Sequence, residues 1–321
     1  MNYYLGVDVG SVSTDIVVID DSETVVDKLY LKTAGRPVDA IKSGMALLKQ
    51  HLGDIPISGV GTTGSGRQLA DVVVGADVVK NEITSHGIAA LKYCPKAKTV
   101  FEIGGQDSKI IILRDGIIVD FAMNTVCAAG TGSFLDRQAS RMNIPIEEFG
   151  DRTLKSSMAV RIAGRCAVFA ESDMIHKQQL GYSQDDIING LCDALVRNYL
   201  SNVGKGKEIL PPIVFQGGVA ANKGMKAAFE RELGYEIYVP AYYDVMGAIG
   251  AAMMAKTESG RKKSTNFYGF DMVDFDYTTK SFECSGCFNM CEIVEIYVNG
   301  NIGARWGGRC GKWSTGKNVA L

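Results

Sequence analysis

Two cysteines, Cys127 and Cys166, each stand where the sequence predicts a helix about to start. The first lies in Asn124-Thr-Val-Cys127-Ala-Ala-Gly-Thr-Gly132, the second in Ala163-Gly-Arg-Cys166-Ala-Val. A thiol at a helix N-terminus feels the positive end of the helix dipole, so the metal-binding thiolate forms readily. Two thiolates are too few for an iron–sulfur cluster, which usually takes about four. A two-fold dimer supplies the same pair from a second copy. The pattern therefore predicts a metal cluster on the axis of a homodimer. A single cysteine is more often an inert, buried apolar side chain. Here the small Ala, Gly and Thr neighbours leave the thiols accessible, and the same helix-start context occurs twice.

Three glycine turns surround these cysteines in sequence, Gly10-Ser11, Gly104-Gly105 and Gly217-Gly218, each after a short apolar strand. Glycine lets backbone N–H groups approach a phosphate closely. Asp8 and Asp107 put a carboxylate on the first two turns. Across a cleft they suit a hydrated Mg2+ ion, which takes few protein carboxylates and several phosphate or water oxygens. Gln106 is placed to orient an attacking water, and Ser11, Ser13 and Thr14 to donate to phosphate. One such loop alone would be an ordinary glycine turn. Three in order, two of them similar, favour nucleotide binding. Neither a Walker loop nor a dinucleotide fingerprint is present. Gly61-Thr-Thr-Gly64-Ser-Gly-Arg67 is a connecting loop near the nucleotide or an ordinary turn.

The elements that must position these residues follow from periodicity. Tyr4–Val9 and Asp15–Asp20 read as strands, and so do Val100–Ile103 and Lys109–Leu113. The repeated strand–turn–strand, Leu5-Gly-Val-Asp-Val-Gly-Ser and Val100-Phe-Glu-Ile-Gly-Gly-Gln-Asp-Ser, indicates a weak internal duplication facing a cleft. Helices are predicted over Pro37–His51, Glu82–Lys92, Thr131–Met142, Gln184–Val203, Ala220–Leu233 and Met246–Ala255, and from Cys166 to about Gln179. Pro212–Phe215 and Tyr235–Val239 are further strands. His86 and Glu82, four apart on a helix, read as a surface pair. Cys94 and Cys192 read as structural.

The 321 residues are 46% hydrophobic, enough for two cores. A net charge of −2 gives no reason to expect nucleic acid as a partner. The start of the chain reads as a strand and not as a signal peptide, and no apolar run reaches membrane length. The chain is thus expected to be cytoplasmic, with no membrane partner. Eight cysteines there point to metal or redox chemistry before disulfides.

The order Asp8-Val-Gly10-Ser, Gly104-Gly-Gln-Asp107, Gly217-Gly218 resembles the sugar-kinase/actin/Hsp70 ATPase superfamily. Asn124–Gly132 and Gly164-Arg-Cys166-Ala-Val-Phe-Ala-Glu-Ser-Asp resemble one branch of it. That branch holds the activators of 2-hydroxyacyl-CoA dehydratases and the ATPase subunits of benzoyl-CoA reductases. The resemblance covers roughly residues 3 to 256. It implies an α/β fold of two duplicated ribonuclease-H-like domains around an ATP cleft, residues 1–95 and 96–260. It implies a homodimer sharing one 4Fe-4S cluster through Cys127 and Cys166 of each copy, with ATP and Mg2+ in each cleft. Asp8, Gln106 and Asp107 form the implied catalytic set. Gly10, Ser11, Ser13, Thr14, Gly104, Gly105, Gly217, Gly218 and Asn222 form the nucleotide-binding set. The implied activity is ATP-driven transfer of one low-potential electron to an iron–sulfur acceptor protein, with ferredoxin or flavodoxin as upstream donor.

Residues 261–321 depart from the short activators. Cys284-Ser-Gly-Cys287-Phe-Asn-Met-Cys291 and Cys310 suit tetrahedral thiolate ligation, as a structural Zn2+ site or a second 4Fe-4S cluster. Glu292–Val298 and Asn301–Trp306 around Asn299-Gly300 predict a hairpin. Arg261-Lys-Lys263 reads as solvated linker and Ser314–Leu321 as a disordered end. Two other functions remain in view: a small-molecule kinase of the same fold, for which no base and pocket are visible, and an ATP-gated regulatory module with structural zinc.

Overall fold

A computed structural model describes residues 1–124, 127–158, 160–164, 166–261 and 264–313. Lys262, Lys263 and Ser314–Leu321, with the linker and chain-end readings placed on them, lie outside these residues. Contacts divide the chain into two compact units, Met1–Glu82 with Gly247–Leu321, and Ile83–Met246. The second unit is an insertion in the first.

In the first unit, β1 (Tyr3–Val9) and β2 (Ser13–Asp20) are Val/Ile/Leu-rich and almost wholly buried, as central strands covered on both faces should be. β3 (Val25–Lys32) alternates half-buried and exposed residues, the pattern of an edge strand. Then come α1 (Pro37–Leu52), β4 (Ile57–Thr63), α2 (Arg67–Val74) and β5 (Val78–Val79). In α1 proline sits at the helix start, where its missing N–H costs nothing, and Ile41, Met45 and Leu48 form its buried stripe. The sheet order is β3-β2-β1-β4-β5.

α3 (Glu82–Tyr93) leads into the second unit. There β6 (Thr99–Ile103), β7 (Ser108–Arg114) and β8 (Ile117–Asn124) form a meander. It is followed by a 3-10 turn (Ala128–Gly130), α4 (Gly132–Met142), α5 (Ile146–Thr153), α6 (Ala167–Gln179) and α7 (Gln184–Asn202). β9 (Ile213–Gln216), α8 (Lys223–Leu233) and β10 (Ile237–Tyr238) complete it. The order β10-β9-β6-β7-β8 repeats the first sheet strand for strand, with the same antiparallel meander and the same parallel additions. The duplication seen in two turns thus extends to whole five-stranded sheets.

α9 (Met246–Ser259) returns the chain to the first unit. Its backbone lies directly on the first sheet: a Cβ on Gly6 would collide with the Ala248 carbonyl, and one on Gly61 with the Ala251 carbonyl. Small residues on both sides permit that approach. β11 (Tyr277–Glu283), β12 (Glu292–Val298) and β13 (Asn301–Trp306) form an antiparallel three-stranded sheet. Asn299 and Gly300, both at positive φ, close its hairpin as the sequence predicted. Ile296, Val298 and Ala304 share one core with Val72, Phe270 and Met272, so the C-terminal residues pack as part of the first unit.

Candidate functional site

The first glycine turn joins β1 to β2. Asp8, near the end of β1, is buried, while Ser11 is exposed. The Gly10 N–H donates to the Ser13 carbonyl at 2.8 Å. Thr33 Oγ1 donates to the Gly10 carbonyl at 2.9 Å and lies 2.9 Å from Thr14 Oγ1. Thr33 has one hydroxyl proton, so Thr14 must be the donor between the two. Thr14 is wholly buried, so its hydroxyl braces the turn from beneath. Ser13 Oγ donates to Asp15. The Gly64-Ser-Gly loop sits alongside: Gly66 N–H donates to the Val9 carbonyl at 2.8 Å, and a Cβ on Gly64 (φ +87°) would strike the Asp8 carboxylate.

The second and third turns lie side by side, because β6 and β9 pair in parallel through Glu102 and Gln216. The Gly104 N–H donates to the Asp107 carbonyl at 3.0 Å, and Gln106 is exposed at the tip. Gly217 is at φ +88°, and a Cβ there would stand 2.5 Å from the Ile103 carbonyl oxygen and 2.7 Å from Glu102 Oε1. Gly218 is exposed beside it. Asn222 starts the next helix. Its Oδ1 accepts from the Gly224 and Met225 N–H groups at 2.9 and 3.2 Å and caps α8. That cap is why α8 begins at Lys223, after a short 3-10 turn, and not at Ala220.

Beneath these turns is a buried polar group that the sequence reading missed. Lys109 Nζ lies 2.8 Å from Glu102 Oε2 and 2.9 Å from Asp107 Oδ2. Two carboxylates offset the large cost of burying an ammonium. His86 lies within 2.9 Å of Gln216 Nε2 through its Nδ1. Burial first, and the nearby Lys109 charge second, push the His86 pKa down to about 3. The ring is therefore neutral near pH 7, and Nδ1 accepts from the Gln216 amide. His86 is thus a core residue and not the surface partner of Glu82 that helical spacing suggested. One signal was available: Glu102 and Lys109 are charges in otherwise apolar strands, and they are cross-strand partners.

Cys166 occupies the N-cap position of α6, in extended conformation, as expected. Cys127 is one step different. It caps the 3-10 turn Ala128–Gly130, and α4 begins after it. The first N–H groups of α4 are already engaged. Gly132 N–H donates to the Gly104 carbonyl at 2.9 Å and Ser133 N–H to the Gly105 carbonyl at 2.8 Å. Ser133 Oγ donates to Gly105 as well. The second glycine turn and the start of α4 are one hydrogen-bonded piece. The Cys127 N–H itself donates to Asn124 Oδ1, and Asn124 Nδ2 donates back to the Cys127 carbonyl.

α7 holds both cysteine segments. Asn198 Nδ2 donates to the Gly164 carbonyl at 2.5 Å, and a Cβ on Gly130 would stand 2.7 Å from Asn198 Oδ1. Arg197 donates to the Ile162 carbonyl at 2.6 Å, and Ala163 N–H donates to Asp173 of α6 at 2.9 Å. Arg137 and Arg141 of α4 both reach Glu171 of α6. Cys127 and Cys166 are each partly exposed, among alanine and glycine. By residue type, two partly exposed cysteines at the starts of helical segments fit two of the four sulfur ligands that an iron–sulfur cluster takes. Cys192 is buried, its thiol pushed up to about 12 by burial.

The four C-terminal cysteines fall at one end of the β11–β12–β13 sheet: Cys284 is buried, Cys291 half-buried, Cys287 and Cys310 exposed. Among the described residues, no three His, Cys, Asp or Glu side chains are gathered closely enough to hold a metal ion. No helix among them is long and apolar enough to cross a membrane.

The chain is 32% identical over 260 residues to the (R)-2-hydroxyglutaryl-CoA dehydratase activating ATPase of Acidaminococcus fermentans, covering 81% of this chain and 99% of that one. It is 27% identical over 203 residues to a component of the benzoyl-CoA reductase of Thauera aromatica, covering 60% and 70%. The solved activator of the 2-hydroxyisocaproyl-CoA dehydratase from Clostridium difficile, with bound ADPNP, superposes with a TM-score of 0.74 at 31% identity, covering 81% and 96%. Residues 5–255, which hold all three glycine turns and both helix-start cysteines, match the family described as the BadF/BadG/BcrA/BcrD ATPases, and the chain belongs to that family.

Proposed function

We propose that this ATPase is the activator of a partner iron–sulfur enzyme of the 2-hydroxyacyl-CoA dehydratase or benzoyl-CoA reductase type. In this reading Asp8, Gln106 and Asp107 serve Mg2+ and the attacking water. The turns at Gly10–Thr14, Gly104-Gly105 and Gly217-Gly218 cradle the phosphates of ATP. Cys127 and Cys166 from each of two copies hold one 4Fe-4S cluster. When bound, that cluster supplies a single low-potential electron to the partner, replenished by a ferredoxin or flavodoxin.

The observation that carries the reading is the hydrogen-bonded link between the Gly104-Gly105 turn and the start of α4. A displacement of the turn on nucleotide binding or hydrolysis is handed by two backbone bonds to the helix that follows Cys127. Asn198 and the Arg–Glu171 contacts carry it to the Cys166 segment. A tenfold shift in a one-electron equilibrium is about 59 mV, or about 1.4 kcal/mol. Lowering a potential by a few hundred millivolts therefore takes several kcal/mol, which only a two-state element driven by nucleotide supplies. The homodimer is supported by apolar surface flanking both cysteines. Ile117, Val119, Phe121 and Met123 on β8 run towards Cys127, and Val168 and Phe169, 68% and 66% exposed, follow Cys166.

Anaerobic purification tests this. The expected protein is a brown dimer with about four iron and four sulfide per dimer, ATPase activity, and ATP-dependent reduction of an acceptor. Cys127→Ala should abolish iron binding and electron transfer. Retention of iron in a Cys127→Ala/Cys166→Ala double variant would overturn the reading.

A further inference from the structure

We propose that Cys284, Cys287, Cys291 and Cys310 form a tetrathiolate site for one Zn2+ ion, which pins the last described residues to the C-terminal sheet. The site lies outside the segment matched by the family, residues 5–255, and stands independently of the activator function.

Three observations converge on Cys284. The Gly286 N–H points at Cys284 Sγ at 3.4 Å, the turn a Cys-x-x-Cys knuckle makes when a backbone amide supports a thiolate. The Cys284 N–H donates to the Cys291 carbonyl at 2.8 Å, extending the β11–β12 register by one pair beyond Glu283 and Glu292. Cys284 and Cys291 therefore stand opposite each other one residue beyond the paired ends of β11 and β12. Directly opposed residues hold their Cβ atoms ~5 Å apart, and a Zn–S bond of ~2.3 Å puts tetrahedral sulfurs ~4 Å apart. Finally, the Trp313 indole N–H lies 3.2 Å from Cys284 Sγ, and its ring packs edge-on to Phe282 at 5.1 Å. Trp313 follows Cys310 closely, so its docking returns the fourth cysteine to the knuckle.

The Trp313 and Gly286 N–H groups both point at the Cys284 sulfur. This is the bonding expected around a ligating sulfur. The structure does not gather the four sulfurs around one point. Closing the site requires side-chain rotation at Cys287 and Cys310, both exposed. One ion needs its ligands closer together than a cubane does, and the opposed pair Cys284 and Cys291 favours the ion. A mononuclear zinc here supplies structure, not electrons.

The test uses the full chain. Metal analysis should find about one zinc per chain, separate from any iron. Cys287→Ser and Cys310→Ser, at exposed positions, should each lose most of that zinc while iron content and ATPase activity stay at wild-type level. Zinc removal by a chelator should shift tryptophan emission through Trp313, and added zinc should restore it. Cobalt substitution should give thiolate-to-metal charge-transfer absorption that Cys310→Ser abolishes. Four freely titratable thiols in native protein with no zinc at either ambient or added metal would overturn the proposal. So would loss of iron and sulfide, in place of zinc, from Cys287→Ser.

Discussion

The two sets of cysteines are built on opposite plans. Cys127 and Cys166 begin helical segments in the inserted unit, and their supports are backbone amides, an asparagine on α7 and a glycine turn. In the proposed reading one chain supplies half the ligands of a cluster and a second copy the other half. Cys284, Cys287, Cys291 and Cys310 sit at the end of a β-sheet, and one chain holds all four. Their support includes direct hydrogen bonds to a sulfur. Incomplete, helix-borne ligands suit a centre whose surroundings must change. A complete set, held at the end of a sheet by one chain, suits one that must not.

The sharpest way to break this contrast is to remove one ligand from each set. Cys127→Ala should eliminate iron binding and electron transfer and leave zinc untouched. If either Cys127→Ala or Cys287→Ser depletes both metals, the two sets are not separate sites. The next largest effect is expected at Asn198. Asn198→Ala leaves the Gly164 carbonyl without its donor and opens a gap beside Gly130. A stability loss of about 2 kcal/mol is expected in chemical unfolding. Iron should be lost faster on standing, with zinc unchanged, and unaltered iron retention would remove Asn198 from the account.

Acid should separate the two plans more gently. His86 has a folded pKa of about 3 against an ordinary value of 6.5. The unfolded chain therefore binds the proton first as pH falls. Stability from the neutral ring is fully present above about pH 6.5 and declines below it, by at most about 1.4 kcal/mol per pH unit. His86→Gln should flatten that slope between pH 6 and about 4 in unfolding measurements. An unchanged slope would mean that His86 is not the titrating group. The smallest effect is expected at Trp313. Trp313→Phe removes the first cause of the lowered Cys284 pKa. In zinc-free protein, alkylation of Cys284 near pH 8 should slow a few-fold, with the gap closing at higher pH. Equal rates would sever the link between Trp313 and the sulfur.

Much of this was legible in the residues. Strand–turn–strand repeats disclosed the duplication, and Asn299-Gly300 disclosed the C-terminal hairpin, because both are local signals. The helix-start placing of Cys166 was equally local. The edge strands β3 and β8 escaped, since their mixed polar and apolar residues give no buried run. His86 escaped because its burial depends on Gln216, 130 residues away. The capping of α8 by Asn222 was also open to a local reading, since an Asn just before a helix carries that signal. The engagement of the α4 start with Gly104 and Gly105 was invisible for the same reason as His86. It joins segments that only the tertiary fold brings together.

The close seating of α9 on the first sheet bears on how the protein is made. Gly6 and Gly61 emerge early from the ribosome, whereas Ala248 and Ala251, whose carbonyls cover them, emerge only after the whole inserted unit. Until then the first sheet lacks its lid, and contacts so distant in sequence form slowly. The nascent chain thus carries an uncovered, strand-rich face through most of its synthesis, the stage at which a holdase chaperone has the most to protect.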